Sequence, residues 1–429
     1  MSLRLAIGTS LASKIASSAL HILALPIAAR SLGGQEFSLY VVVSSFLSWF
    51  MLANIGVAPA LMVKAAEKRS EQEYDGLRLV FGSALFITFI ASVLILVGIF
   101  VWTLCFDSHM IFGDAFHDRA QEIEKSFRII SVIVFFQLNA SVVEAMQLGL
   151  QRQHANNIAN IGGVVFSVIS LLIFSRALKS TSDLLLALYV PQILWKLGNF
   201  FSLLFQEPSL KYFWRKIDFQ QCKSLLQQGV RFSAAGPLNN FLSHALPIYL
   251  VGLLCLPEEA ASYAVTINAL ILASGVLAMC TSPFIPILIE SAKKKNQARV
   301  RKYCLKMMIF SAIVAATVFF SFYFFGGLIF KKWYGDVVSV DRKMVVAFCI
   351  YFVALAFEVT MYALLVGLGR LERMSIVMTL KSIAGAAICC LFLAPGRAYW
   401  PYLIFALLIL MLEVLPFSRL LRRSIASLN

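Results

Sequence analysis

Three lysines lie within long apolar stretches of the sequence: Lys14, Lys196 and Lys381. A charged side chain at bilayer depth costs roughly 2.5–3.5 kcal/mol even on lenient insertion scales, so it usually faces an interior cavity or a charged partner. A cationic interior predicts that an anionic group is handled within the membrane. For Lys14, which lies early in its stretch, snorkelling to the nearer surface is the competing interpretation.

Three carboxylates lie in stretches of the same kind: Glu144, Glu358 and Glu413. Ion pairing with the lysines would neutralise the interior, and this alternative stays open. Glu358 lies deeper than Glu413 and is the best candidate for an acid that binds and releases a coupling proton, with Glu144 as a further candidate. We expect Glu413, near the inner end of its stretch, to snorkel or to pair with arginines there.

The remaining polar residues of these stretches are candidates for substrate contact. His21 follows Lys14 by seven residues and shares its helix face, so it is expected to titrate or to hydrogen-bond to a polar substrate. Asn239, Asn240 and His244 form a second polar group. They either bond to neighbouring helices or face a substrate, and both alternatives remain.

The composition defines the elements that must position these residues. The chain has 429 residues, of which 60% are hydrophobic and 14% are charged, whereas soluble domains average about 25% charged residues. The mean hydropathy is +0.82. A spanning helix needs about 20 residues, so the pattern predicts an all-α membrane protein with twelve spanning helices, at 6–29, 38–62, 79–103, 128–150, 156–175, 184–206, 229–254, 262–284, 304–328, 344–366, 374–394 and 399–420.

The charge distribution predicts the orientation. The net charge of +15 would suggest nucleic acid in a soluble protein, but Lys and Arg are about twice as numerous in one set of alternate connections, which is typical of cytoplasmic loops. Both termini should therefore be cytoplasmic, and no nucleic-acid partner is expected. The first stretch continues as a full-length span and should not be a cleaved signal peptide. The cysteines lie mostly in apolar segments and indicate neither a disulfide framework nor a metal or cofactor site.

An internal repeat divides the chain. The segment Ala24-Leu25-Pro26-Ile27 recurs as Ala245-Leu246-Pro247-Ile248, and two further short matches follow in the same order at an offset of about 220 residues. We predict two pseudo-symmetric six-helix lobes, 1–206 and 229–429, joined by an interfacial linker, 207–228. Transporters with such parallel repeats bind substrate near the midplane between the halves. Pro26 and Pro247 each remove a helix hydrogen bond, so each is a hinge candidate or a static kink.

Three segments carry a family resemblance. The stretch from Arg30 to Tyr40 (RSLGGQEFSLY) is similar to the R-x-L-G-x-x-x-[FY]-x-x-[FY] stretch of bacterial polysaccharide flippases. These O-antigen and capsule repeat-unit translocases belong to the superfamily that contains the multidrug/toxin extruders. Asn54-Ile55-Gly56-Val57 resembles their D-x-G-[IV] segment, although Asn54 replaces the aspartate. Gly149 and Arg152 resemble the G-x-x-R that follows their fourth helix.

This resemblance implies a V-shaped, two-lobed bundle around a central cavity, like that of the multidrug extruders. It also implies transport of an undecaprenyl-diphosphate-linked oligosaccharide to the periplasmic leaflet of the bacterial inner membrane, by alternating access and with ion coupling. Lys14, Lys196 and Lys381 would then attract the diphosphate in one cavity. The expected partners are the lipid-linked cargo, the bilayer, a polysaccharide polymerase and a chain-length regulator, with the chain itself a monomer.

Two alternatives remain beside this interpretation. The first is a multidrug or cation antiporter of the same superfamily, which would favour an acidic, aromatic cavity over dispersed lysines. The second is a membrane glycosyltransferase or O-antigen polymerase. The sequence contains no P-loop, HExxH helix or GxSxG elbow, and its longest predicted outer connection, 106–126, is short for such an enzyme.

Overall fold

The computed structural model describes residues 3–54, 56–105, 118–215, 217–235, 237–281, 284–335, 337–368 and 371–426. The regular elements within these ranges are all helical. Helices close their backbone hydrogen bonds within one segment, which a chain in hydrocarbon requires. This agrees with the all-α class predicted from the apolar stretches.

The first of two compact units covers Met1–Ser233. Its helices are α1 (Leu3–Leu32), α2 (Gly34–Met51), α3 (Val57–Ser70), α4 (Tyr74–Cys105), α5 (Ala120–Gly149), α6 (Gln153–Phe174), α7 (Thr181–Gln206) and α8 (Phe219–Ala235). Side chains from α3, α4, α5 and α7 form its largest described core, in which Phe81 and Met146 are fully buried. Of these helices, α4, α5 and α7 are long and apolar enough to span a membrane.

The second unit covers Ala234–Asn429. It contains α9 (Pro237–Asn240), α10 (Leu246–Leu254), α11 (Pro257–Thr281), α12 (Phe284–Lys293), α13 (Gln297–Tyr334), α14 (Arg342–Gly367), α15 (Leu371–Phe392), α16 (Trp400–Leu408) and α17 (Leu415–Ala426). A core of Met307, Leu364, Met374 and Phe417 joins α13, α14, α15 and α17. Asp341 caps α14 by accepting a 2.7 Å hydrogen bond from the Met344 amide.

Among the described residues, nine helical segments are long and apolar enough to cross a membrane. They are Gly34–Asn54, Tyr74–Cys105, Ala120–Gly149, Gln153–Phe174, Thr181–Gln206, Pro257–Ala278, Gln297–Tyr334, Arg342–Gly367 and Trp400–Ile425. Two shorter apolar helices, Leu238–Leu254 and Ile376–Phe392, and the 30-residue α1 account for the other three predicted spans.

Several boundaries differ from prediction for identifiable reasons. The predicted helix 38–62 ends early, because Gly56 adopts a left-handed φ of 66° before α3 begins. The side chain of Asn54 accepts a 3.1 Å hydrogen bond from the Ala58 amide and so caps α3. Asn54 also donates to Ser141 of α5 at 2.8 Å.

Two of the predicted helices contain π-helical turns, at Phe241–Ala245 and Ile409–Val414. π-turns inside helices are rare and frequently mark functional sites. Both of these turns carry polar residues, His244 in the first and Glu413 in the second. Apolar periodicity does not distinguish a π-turn from an α-helix, so these interruptions were not predicted.

The segment predicted as a linker, 207–228, packs onto the first unit. Leu210 and Leu225 are fully buried in that unit's core, and Arg78 Nε donates a 2.7 Å hydrogen bond to the carbonyl oxygen of Ser209. The α8 helix starts inside the predicted linker, at Phe219, and continues past its end to Ala235. The superposition of the two lobes stays a prediction.

Candidate functional site

A buried ion cluster lies within the second unit. Lys381 Nζ of α15 lies 2.6 Å from Glu358 Oε1 of α14 and 3.1 Å from Glu413 Oε1 of the Ile409–Val414 π-turn. The exposed fractions of these side chains are only 2% for Lys381, 6% for Glu358 and 0% for Glu413. Ions at this depth depend on one another, because water does not solvate them. We call Lys381, Glu358 and Glu413 the charged trio.

The two carboxylates of the charged trio are held differently. Glu358 accepts a hydrogen bond from Lys381, whereas neither oxygen of Glu413 has a hydrogen bond among the described residues. Glu413 lies 3.1 Å from the Lys381 ammonium, a longer contact than the 2.6 Å of Glu358. Glu413 is thus the less firmly held carboxylate of the two.

The charged trio has one more carboxylate than ammonium groups. Two ionised carboxylates and one ammonium carry a net charge of −1, and an uncompensated charge in a low-dielectric site is strongly disfavoured. Two carboxylates that share one site do not both ionise readily. One proton shared between the two carboxylates would make the cluster neutral.

Polar groups next to the trio connect α15 to the helix that precedes α10. Ser382 hydrogen-bonds to Ser243 at 2.8 Å and donates to Asn239. His244 lies beside them, and its buried Nδ1 has no partner among the described residues. Asn240 is exposed. Of the polar group predicted in this helix, the structure brings Asn239 into the hydrogen-bonded cluster and leaves Asn240 outside it.

The first unit holds a second, less buried ion pair. Lys196 Nζ of α7 lies 3.1 Å from Glu144 Oε1 of α5 and donates a 2.5 Å hydrogen bond to Gln137. The exposed fractions are 23% for Lys196 and 39% for Glu144. Gln137 and Glu144 are seven residues apart, so they share one face of α5 and can reach the same ammonium.

These pairings correct two expectations. The charges of these two sites do not make the described interior cationic, because Lys196 and Lys381 both have carboxylate partners; ion pairing was the alternative left open by the sequence. Glu413 does not snorkel and pairs with none of the described arginines, because it lies buried in the π-turn against Lys381. A buried ammonium is costly alone, so carboxylates on adjacent helices compensate it.

An amide network in the first unit was not predicted. Gln147 and Asn199 exchange two hydrogen bonds, of 2.8 and 3.1 Å, and Asn199 also donates to Asn156. Asn160 of α6 donates to Ser13 of α1 at 2.7 Å. The signal was present as Asn and Gln residues within apolar stretches, which commonly bond across helices.

The other predicted residues have these positions. Lys14 and His21 lie on α1, but their side chains are outside the described part of the structure, so the cavity predicted to unite Lys14, Lys196 and Lys381 stays a prediction. Pro26 is buried inside the continuous α1, whereas Pro247 lies in the first turn of α10, two residues after the Phe241–Ala245 π-turn. Their hinge roles also stay predictions.

Comparison with solved structures defines the class of the fold. The chain is similar to a multidrug resistance MATE family transporter of the MOP superfamily in an inward-facing conformation, with a TM-score of 0.77 at 13% identity over 96% of this chain and 95% of that one. An outward-facing structure gives a TM-score of 0.65 at 15% identity, covering 99% and 96%. A MOP superfamily transporter from Pyrococcus furiosus gives 0.62 at 13% identity, covering 99% and 94%. The protein is thus a multi-pass membrane protein with the MATE fold.

A family match is more specific. The profile of the family described as "Polysaccharide biosynthesis protein" matches residues 6–292, about two thirds of the chain. The chain belongs to this family, which confirms the resemblance that was based on the Arg30–Tyr40 segment. A search of the curated proteins found no match.

Proposed function

We propose that this protein is a transporter that moves an undecaprenyl-diphosphate-linked oligosaccharide from the cytoplasmic to the periplasmic leaflet of the bacterial inner membrane. The observation that carries the proposal is the combination of a polysaccharide-biosynthesis family match with the MATE fold. The lipid-linked product would pass to a polysaccharide polymerase and its chain-length regulator. Both termini are cytoplasmic in this proposal, following the distribution of Lys and Arg.

The cargo defines the physical problem. A diphosphate does not cross hydrocarbon unaided, because transfer of an ion into a low dielectric costs tens of kcal/mol by idealised solvation estimates. Lys196 is partly exposed and its carboxylate partner is more exposed still, so Lys196 can exchange Glu144 for a phosphate oxygen. Lys381 is closed off by its neighbours, and in this proposal it does not contact the cargo. This reassigns Lys381 from cargo binding to coupling.

The charged trio is the coupling element. Loss of its proton leaves a net negative charge buried among α14, α15 and the Ile409–Val414 π-turn, and this favours a conformation in which water reaches the site. Glu413 is the proton carrier, because its oxygens have no hydrogen bonds to hold the ionised form. Protonation of the trio is then linked to the conformation of the second unit.

Genetic complementation tests the cargo. The gene is deleted in its host, and surface polysaccharide is measured after return of the wild-type gene, Lys196→Ala, or Lys302→Ala, a matched change at an exposed lysine. Lys196→Ala should lose most surface polymer at unchanged protein level, and Lys302→Ala should restore it. Normal polymer in the deletion strain would refute the proposed cargo.

Flipping of a fluorescent polyprenyl-diphosphate oligosaccharide in proteoliposomes tests the coupling. The wild-type rate should respond to an imposed pH gradient, whereas Glu413→Gln, which resembles the protonated acid, should not respond. Glu258→Gln is the control, because Glu258 is exposed at the start of α11 in the same unit. A pH response retained in Glu413→Gln would contradict the assignment of Glu413.

A cation antiporter is the second candidate. The Glu144 carboxylate of the first unit is 39% exposed, more than its partner Lys196 at 23%, so a cationic cargo could reach it. The deletion strain distinguishes the two functions. Increased sensitivity to cationic drugs with normal surface polysaccharide would favour the antiporter.

A further inference from the structure

An apolar groove of about 390 Å³ runs along α4, α5 and α7 of the first unit. Aromatic rings dominate its walls, among them Phe86, Phe135, Phe200 and Trp214. Its volume lies in the range of roughly 300–1,000 Å³ that is typical of small-molecule sites. Trp214 is 57% exposed, and the groove follows helices that are long and apolar enough to span a membrane.

Part of the groove wall comes from the segment 208–215. Tyr212 joins two short 3₁₀ turns there with a φ of +62°, a conformation uncommon for an aromatic residue. The turn places Phe213 and Trp214 in the groove wall, with the Phe213 ring 5.5 Å from that of Phe81 in an edge-to-face contact. The Arg215 guanidinium lies 5.0 Å from the centre of the Tyr212 ring.

The cations along the groove differ in their partners. Lys196 also lines it, but Glu144 and Gln137 neutralise and hold its ammonium group. Arg215 directly follows the groove-lining Trp214, and Lys211 lies two residues before Phe213. Both are exposed, and neither forms an ion pair with a described residue. The positive charge without a carboxylate partner is therefore in the segment that contributes Phe213 and Trp214 to the groove wall.

We propose that this groove binds one acyl chain of an anionic glycerophospholipid, with the headgroup phosphate at Arg215 and Lys211. Basic residues at the ends of spanning helices recognise anionic headgroups, a guanidinium pairs well with a phosphate, and aromatic rings are typical of this membrane depth. An apolar wall beside a segment with two cations that lack carboxylate partners suits a resident lipid with an apolar chain and one anionic headgroup. This lipid site is separate from the proposed transport of a lipid-linked oligosaccharide, and the proposal does not depend on that function.

Native mass spectrometry of the full-length protein in non-ionic detergent tests the site. The probes are phosphatidylglycerol and phosphatidylcholine with identical acyl chains. The wild-type protein should retain more phosphatidylglycerol, and Arg215→Gln should weaken that retention about fivefold, as expected for one basic residue near an anionic surface. Ala140→Phe, which fills the groove, should reduce retention of both lipids.

Two matched variants serve as controls. Arg69→Gln removes an exposed arginine outside the groove, and Ile169→Phe enlarges an exposed side chain of α6. Both should retain lipid as the wild type does. Equal retention of the two phospholipids by the wild type, or wild-type retention by Ala140→Phe, would overturn the proposal. Displacement of bound phosphatidylglycerol by polyprenyl phosphate in the wild type would assign the groove to the cargo tail instead.

Discussion

Replacement of Lys381 by Met isolates the energetics of the charged trio. The change removes the ammonium group and keeps a side chain of similar length, so little packing is lost. Glu358 and Glu413 then remain buried without a cation, since Lys381 Nζ lies 2.6 and 3.1 Å from their oxygens in the wild type. The variant therefore reports the loss of charge compensation.

The magnitude follows from the burial. Removing one partner from a buried ion pair costs about 3–5 kcal/mol. At the scaling of roughly 2–4 °C per kcal/mol for domains of 150–250 residues, this lowers the unfolding temperature by about 6–20 °C. Glu413→Gln should cost much less, because it leaves a neutral pair of Lys381 and Glu358. The expected order of stability is wild type, Glu413→Gln, then Lys381→Met.

Thermal unfolding in detergent, followed by tryptophan fluorescence, measures these shifts. The decisive control is the triple variant Lys381→Met, Glu358→Gln, Glu413→Gln, in which no ion remains in the cluster. Replacement of a buried ion cluster by neutral groups is often tolerated, so the triple variant should recover most of the loss. Compensation of buried charge is the wrong explanation if Lys381→Met has the unfolding temperature of the wild type. It is also wrong if the triple variant has an unfolding temperature as low as that of Lys381→Met.

Three further predictions concern other parts of the chain. Gly56→Ala should lower the free energy of unfolding by about 2 kcal/mol or more. A left-handed residue with a Cβ costs about 1–2 kcal/mol, and this Cβ would lie 2.1 Å from the Gly229 oxygen. Thermal unfolding measures the loss. Gln147→Leu should cost about 1–3 kcal/mol by removing a buried partner of Asn199, and Gln147→Glu provides a comparison that retains an acceptor. In an otherwise cysteine-free chain, a single cysteine in place of Lys294 should react with an impermeant maleimide only after permeabilisation. Labelling of this cysteine in intact cells would contradict the predicted cytoplasmic position of Lys294.

The sequence predicts the architecture of this protein well, because the bilayer imposes its own length on each helix. Apolar runs of about 20 residues are sufficient to place twelve crossing segments. The π-turns and the early end of α2 are not predicted by these apolar runs. They depend on single residues such as Gly56 and on packing between distant segments, which hydropathy does not record.

The sequence also identifies the charged positions but not their pairing. Lys381, Glu358 and Glu413 are separated by 23 residues or more, so only the packing of α14 and α15 against the Ile409–Val414 π-turn brings them together. Glu413 illustrates the difficulty. Its position near the end of a predicted span suggests exposure, and a π-turn reverses that expectation.

Replacement by Ala should therefore give different phenotypes at Lys196 and at Lys381. Lys381 is 2% exposed, whereas Lys196 is 23% exposed. Loss of the Lys381 ammonium therefore leaves two carboxylates without contact to water, whereas loss of the Lys196 ammonium leaves one hydrated carboxylate. Because the energy of an ion pair falls as water screens it, Lys381→Ala should lower the amount of folded protein and Lys196→Ala should not. Loss of surface polysaccharide in Lys381→Ala consequently says nothing about cargo contact unless protein level is measured in parallel. The informative variant at the trio is Glu413→Gln, which keeps the compensated pair of Lys381 and Glu358 and removes only the second carboxylate.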